Sequence, residues 1–167
     1  MTTTFHPLQL RGTQALIAAV GCVVGGLILP QLCHLIPQGG LMLLPIYFFT
    51  LFASYKYGLQ TGLLTAVLTP VCNSLLFGMP HGGVLLPILI KSVLLAVVAA
   101  GVARKFRTVN IWLLLGVVLT YQVGGSLVEA ALTHSLAIGF QDFRIGMPGM
   151  VLQVVGGYAL MRRNIKQ

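Results

Sequence analysis

Two ionisable residues, Lys91 and Glu129, lie inside long apolar stretches of the sequence. A charged side chain at the centre of a membrane-spanning helix costs at least about 2.5–3.5 kcal/mol on insertion scales, so it usually faces protein or water and has a function. Two interpretations of this pair are open. Lys91 and Glu129 form a structural ion pair, or they share the work of holding a polar ligand.

Uncharged polar residues near them recur at helical spacing, four residues or seven residues apart. Side chains at these spacings share one face of a helix, and in lipid that face must contact protein or a water-filled cavity. The spacing therefore predicts two inward-facing polar stripes. One consists of Thr61, Thr65, Thr69 and Asn73, and the other of Gln122, Ser126, Glu129 and Thr133.

The composition excludes a soluble protein. Of 167 residues, 57% are hydrophobic and 7% are charged, against roughly 25% charged in an average soluble domain. The mean hydropathy of +0.95 also excludes a disordered chain. The net charge of +8 does not indicate nucleic-acid binding, because the basic residues lie between apolar runs rather than on one soluble face. We expect an all-α integral membrane protein with residues 1–167 forming a single domain.

Apolar runs separated by Gly, Pro and basic residues predict six transmembrane helices. Six spans of about 20 residues leave no room for a nucleotide-binding domain, so we expect any ATP hydrolysis to occur on separate chains. The predicted helices are 13–29, 41–55, 60–77, 84–102, 110–134 and 147–161.

The distribution of Lys and Arg predicts the orientation, because short cytoplasmic loops are enriched in both. If the N-terminus is cytoplasmic, eight of the ten basic residues fall on the cytoplasmic side and one, Arg144, falls outside. Both termini are then cytoplasmic. The eight are Arg11, Lys56, Arg104, Lys105, Arg107, Arg162, Arg163 and Lys166.

With this orientation, many of the remaining polar residues gather at the outer side of the helices. Sites between the helices of a bundle commonly bind small molecules, so we predict an outward-facing pocket closed by loops. Its mixed charge favours a polar, zwitterionic or carboxylate-bearing molecule. The candidate binding residues are His34, Asn73, His81, Lys91, Gln122, Glu129, Arg144 and Gln153.

The first predicted helix has small residues along one face, at Ala15, Ala19, Cys22 and Gly26. Small residues let another helix approach closely. The helix that packs against this face belongs either to this chain or to a partner protein, and the sequence leaves both possibilities open.

Several segments resemble the substrate-binding S-components of energy-coupling factor (ECF) transporters. The resemblance rests on 44–58, on Gly62, on Thr69-Pro70-Val71-Cys72-Asn73-Ser74-Leu75-Leu76-Phe77-Gly78-Met79-Pro80, and on Gly146-Met147-Pro148-Gly149 before the last helix. It covers most of the chain through loose motifs, of which Asn-Ser-Leu-Leu-Phe-Gly-Met-Pro is the most specific. One departure is Lys91-Ser92, where relatives have an acidic residue, so their ligand contacts are not carried over.

The resemblance implies six spans and capture of a vitamin or vitamin precursor at the outer face, beneath the first, third and fifth loops. It also implies a membrane scaffold subunit and two ATPase subunits in a prokaryotic cytoplasmic membrane, with no catalysis and no cofactor in this chain. An Ala-x-x-x-Ala motif docks the scaffold in that family, and Ala15 and Ala19 match it.

The substrate itself is not specified by the sequence. A cobalamin-type substrate is one alternative, because Cys72, His34 or His81 offers a thiolate or imidazole ligand for cobalt; we predict no resident metal. A stand-alone membrane carrier or a small membrane enzyme is the other alternative. The sequence lacks the HExxH, GxSxG and P-loop motifs, and its two carboxylates leave little for acid–base catalysis.

Overall fold

The structure of the protein, a computed structural model, describes residues 3–4, 8, 11–35, 37 and 39–165. Its helices, in chain order, are α1 (Gly12–Cys33), α2 (Gly39–Leu43), α3 (Pro45–Tyr57), α4 (Leu59–Phe77), α5 (Gly82–Phe106), α6 (Ile111–Thr133), α7 (Leu136–Gly139), α8 (Gln141–Ile145) and α9 (Met147–Ile165). Two short strands, β1 (Thr3–Thr4) and β2 (Thr108–Val109), pair antiparallel.

Four helices, α1, α4, α5 and α6, are long and apolar enough to cross a membrane. The chain is therefore an all-α, multi-pass membrane protein, apart from its two-residue strands. α3 packs against α1, α4, α5 and α9, so it occupies the centre of the bundle. Each of the six helix ranges expected from the sequence overlaps one of the six long helices.

The first helix extends beyond the end predicted for it at residue 29, through Pro30 to Cys33. A proline inside a helix removes the N–H that would bond to the carbonyl four residues earlier, which is the carbonyl of Gly26. Asn73 on α4 donates from Nδ2 to this oxygen at 3.0 Å. A hydrogen bond from a neighbouring helix thus replaces the one that Pro30 cannot make.

The second predicted helix, 41–55, is divided in the structure. Leu44 adopts a left-handed conformation with φ 47° and ψ 47°, which separates α2 from α3. Pro45 follows it and disfavours a helical conformation for the preceding residue. Proline at the first position of a helix is itself well tolerated, and α3 begins there.

The basic segments meet at one end of the bundle. The Leu8 amide donates to the Lys56 carbonyl at 3.0 Å, and the Tyr55 hydroxyl donates to the Thr108 carbonyl at 2.7 Å. β1 brings the N-terminal segment beside β2, and α9 also packs against β2. Lys166 lies outside the described residues.

The small-residue face of α1 packs inside the chain. Ala15 and Ala19 are both 0% exposed, so neither offers surface to a partner. Their predicted role in docking a scaffold is wrong for this structure, and internal packing, the alternative, is what it shows. Gly21, on the same helix, is exposed and has open space where a side chain would lie.

Candidate functional site

A cavity of about 460 Å³ opens at the end of the bundle opposite the basic segments. This volume is within the usual range of roughly 300–1,000 Å³ for small-molecule sites. Three connections between the long helices contribute to its wall: the α1–α3 connection, the α4–α5 connection and the α6–α9 connection. The residues that line it are Pro30, Gln31, His34, Gly40, Leu44, Pro45, Ile46, Tyr47, Asn73, Met79, Pro80, His81, Val84, Ile88, Glu129, Ile138, Gln141 and Asp142.

Glycines and short hydrogen bonds hold the loops around the cavity. A side chain at Gly149 would overlap the backbone of α2, so this glycine lets α9 begin directly against α2. The His34 ring lies close to Gly40, where an added Cβ would be 3.2 Å from the ring. The Ser74 hydroxyl donates to the Pro80 carbonyl at 2.9 Å, which fixes the loop that carries His81 at the end of α4.

The charged residues of the site form a three-membered cluster, which we call the Lys91 triad. Lys91 Nζ lies 2.5 Å from Glu129 Oε2 and 2.6 Å from Asp142 Oδ2. Lys91 is completely buried, whereas both carboxylates reach the cavity wall. The ion pair between Lys91 and Glu129 is present as one interpretation predicted, and Asp142 is a second partner that was not expected for it.

A glycine on α6 makes room for the lysine. A side chain at Gly125 would overlap Lys91 Cγ, so α5 and α6 must approach closely at this point. Glu129 is one helical turn further along α6, and this spacing puts it beside the Lys91 ammonium group. The carboxylate of Asp142 comes from the short helix α8, which contributes Gln141 and Asp142 to the cavity wall.

Asn73 and Tyr47 both line the cavity, and each has a buried polar atom. Asn73 Nδ2 donates to the carbonyls of Gly26 and Thr69, both at 3.0 Å. Its Oδ1 is buried and has no hydrogen-bond partner among the described residues, and the same is true of the Tyr47 hydroxyl. Buried polar atoms are nearly always paired, so these two atoms are candidates for contacts with a bound molecule.

The eight candidate binding residues separate into three groups. His34, Asn73, His81 and Glu129 line the cavity, and Lys91 lies directly behind its wall. Gln122 and Gln153 are completely buried but do not line it. Arg144 is exposed and also does not line it.

Gln122 and Gln153 belong to a polar layer deeper in the bundle. Gln122 lies seven residues before Glu129 on α6, which is about 10 Å along a helix. Gln153 Oε1 accepts a hydrogen bond from the Tyr121 hydroxyl at 2.9 Å. The Tyr121 ring contacts the Tyr47 ring, with 5.3 Å between centroids, so this layer supports the floor of the cavity.

Tyr47 and Asp142 are two wall residues that the list of candidate binding residues lacks, and the first gave no signal in the sequence. Tyr47 lies in the aromatic run 47–49, where nothing distinguishes it from ordinary core residues. Asp142 had a usable signal, because it and Glu129 are the two acidic residues of the whole chain. A buried lysine needs compensation, and only two carboxylates were available to supply it.

The described residues contain no group of three or more His, Cys, Asp or Glu side chains that could hold a metal ion. Cys72, one of the candidate cobalt ligands, does not line the cavity, whereas His34 and His81 do. No protein-family model, curated protein or solved structure matches this chain.

Proposed function

We propose that this protein is the substrate-binding subunit of an ECF-type importer and captures a vitamin or vitamin precursor at the outer face of a prokaryotic cytoplasmic membrane. The cavity carries the proposal. It lies between helix ends, is bounded by three loops and combines apolar walls with a few buried polar groups. Such a combination is typical of small-molecule sites.

The proposed topology has six spans with both termini in the cytoplasm. The eight-to-one distribution of basic residues supports this orientation, and it leaves the cavity on the outer side. α3 has 13 residues, about 20 Å of helix, which is shorter than the hydrocarbon core of roughly 30 Å. Its central position lets neighbouring helices, rather than lipid, cover its ends.

In this proposal the chain binds and releases its substrate but performs no chemistry, and a membrane scaffold with two ATPase subunits supplies the energy. The absence of a P-loop motif from the sequence supports this division of labour. The scaffold must contact a surface other than Ala15 and Ala19, because both are buried.

Purification of the tagged chain from its native membrane tests the proposal. We expect a scaffold and two ATPase chains to co-purify in fixed proportion, and the reconstituted complex to import a small molecule only when ATP is present. Transport by the chain alone in vesicles would indicate a stand-alone carrier, and chemical turnover of a bound compound would indicate an enzyme. Either result would contradict the proposal.

A further inference from the structure

The two carboxylates on the cavity wall determine which ligand chemistry the site accepts. We propose that the cavity binds a small organic cation, with N–H donors directed at Glu129 and Asp142 and an apolar body against the remaining wall. This inference rests on the proposed capture of a small molecule at the same site. The sequence favours a polar, zwitterionic or carboxylate-bearing molecule, and this proposal puts a cationic group in place of the carboxylate.

The charge of the triad is the first argument. Glu129 and Asp142 are formally −1 each and Lys91 is +1, so the cluster carries a formal charge of −1. They are the two acidic residues in the chain, so the acidic charge of the whole protein is concentrated at this wall. Charges interact strongly where water is excluded, so a cation entering the cavity gains from this excess.

The position of the basic groups is the second argument. The Lys91 ammonium group is behind the wall and already bonded to both carboxylates. Among the described residues that line the cavity there is no lysine or arginine, and Arg144 lies elsewhere on the surface. A carboxylate ligand would therefore meet two carboxylates and, in place of a lysine or arginine, the imidazoles of His34 and His81.

The unpaired polar atoms are the third argument, and they are independent of the charges. Asn73 is 1% exposed, and its Nδ2 donates to two carbonyl groups, which leaves Oδ1 as a buried acceptor without a partner among the described residues. The Tyr47 hydroxyl, 2% exposed, is also without a partner among the described residues. Asn73 Oδ1 can accept a hydrogen bond, and the Tyr47 hydroxyl can accept or donate one, so both suit a ligand that brings N–H donors.

The apolar part of the wall limits the rest of the ligand. Ile46, Met79, Val84 and Ile88 contribute hydrocarbon and thioether surface, and the Tyr47 ring adds an aromatic face. Aromatic faces attract organic cations. A planar or aromatic amine or amidine satisfies all these features, whereas a bare metal ion does not use the apolar wall.

Three probes of nearly the same shape separate charge from fit: benzamidine, which is a cation at neutral pH, benzamide, which is neutral, and benzoate, which is an anion. Binding of each to the purified chain is measured by equilibrium dialysis. We expect benzamidine to bind at least about tenfold more tightly than benzamide, and benzoate to bind most weakly. Equal or tighter binding of benzamide or benzoate, or no binding of benzamidine, would overturn the proposal.

Two substitutions assign the preference to this wall. Asp142→Asn removes one formal charge while keeping the shape, and should reduce the preference for benzamidine over benzamide severalfold. Gln141→Lys, at an exposed position of the wall, adds a cation and should abolish the preference even if Asp142→Asn does not fold. Leu136→Lys adds the same charge on the same connection but outside the cavity lining, and should keep the order of the three probes. A preference that survives Gln141→Lys would refute the assignment.

The probe-binding and co-purification experiments distinguish failure of the cation inference from failure of the importer proposal. If benzoate binds best and the charge variants change its affinity, the cavity is a small-molecule site and only the cation inference fails. If benzamidine binds best but no scaffold or ATPase accompanies the chain, the cation inference stands and the importer proposal fails.

Discussion

The substitution Lys91→Met should destabilise the protein far more than the loss of an ordinary lysine. It leaves the Glu129 and Asp142 carboxylates without a counter-charge in a largely buried site. Lys91 Nζ lies 2.5 Å from Glu129 Oε2 and 2.6 Å from Asp142 Oδ2. The two oxygens are therefore separated by about 5 Å or less, and no positive charge would lie between them in the variant.

The magnitude follows from that separation. Two like charges about 5 Å apart repel by roughly 3 kcal/mol at an effective dielectric constant of about 20. Removing one partner from a buried pair typically costs about 3–5 kcal/mol in the free energy of unfolding. For a protein of this size, such a loss corresponds to a fall of roughly 6–20 °C in Tm.

The assay is thermal unfolding of the purified protein in detergent without added ligand. Lys105→Met is the matched control, because Lys105 is exposed at the opposite end of the bundle, and it should change Tm little. The triple variant Lys91→Met, Glu129→Gln and Asp142→Asn removes all three charges and should recover most of the loss, since no uncompensated charge remains.

Two results would refute this reasoning. If Lys91→Met unfolds at the same temperature as Lys105→Met, the lysine does not compensate buried carboxylates. If the triple variant is as unstable as Lys91→Met, the loss comes from packing rather than charge. A stable triple variant that no longer prefers benzamidine would show that the triad both holds α5, α6 and α8 together and selects the ligand.

Three further predictions concern other parts of the fold. Ala19→Leu should destabilise the chain by about 1–3 kcal/mol through overpacking, whereas Gly21→Leu, where there is open space, should change Tm little; equal effects would contradict the packing assigned to α1. Asn73→Leu should cost about 1–3 kcal/mol in unfolding free energy, because a helix carbonyl is left unpaired; an unchanged Tm would contradict that role. A membrane-impermeant thiol reagent should label a cysteine introduced at Arg144 but not one at Lys105 in intact cells, and the reverse result would invert the proposed topology.

The polar stripes show where sequence reasoning succeeds in this protein. Thr61, Thr65 and Thr69 recur every four residues on α4, and all are completely buried as predicted. On α6, Gln122 and Ser126 are completely buried and Glu129 is buried, but Thr133, predicted for the same stripe, is exposed at the last residue of the helix. Lipid cannot solvate polar side chains, so periodic polarity in an apolar helix gives the direction of the protein interior without any knowledge of the fold.

Small residues do not indicate which side of a helix faces the interior of its own chain. Alanine fits against another helix of the same chain as well as against a partner, so the spacing of Ala15 and Ala19 could not decide between them. The extension of α1 through Pro30 was also unpredictable, since it depends on a hydrogen bond from Asn73, 43 positions along the chain. Arg144 and Asp142 lie two residues apart in the same connection, so the sequence could not show that Asp142 lines the cavity and Arg144 does not.

The candidate site was predicted in part, because polar spacing is visible in the sequence and tertiary contacts are not. The location of the cavity followed from the charge distribution and from the polar stripes, and four of the candidate residues line it. Tyr47 could not be recognised, because an aromatic residue in an apolar run is ordinary core until the fold places that residue beside a cavity.

Occupancy of the cavity by a small molecule is the central claim, and native mass spectrometry of two matched variants tests it most directly. Val84 lines the cavity and Val97 faces outward on the same helix, and both are 47% exposed. We expect the wild-type chain and Val97→Trp, purified from cells grown in rich medium, to retain a small molecule that is released on unfolding. Val84→Trp fills the cavity and should retain none. A wild-type chain with no bound molecule, or a Val84→Trp variant that retains the same molecule, would contradict the claim.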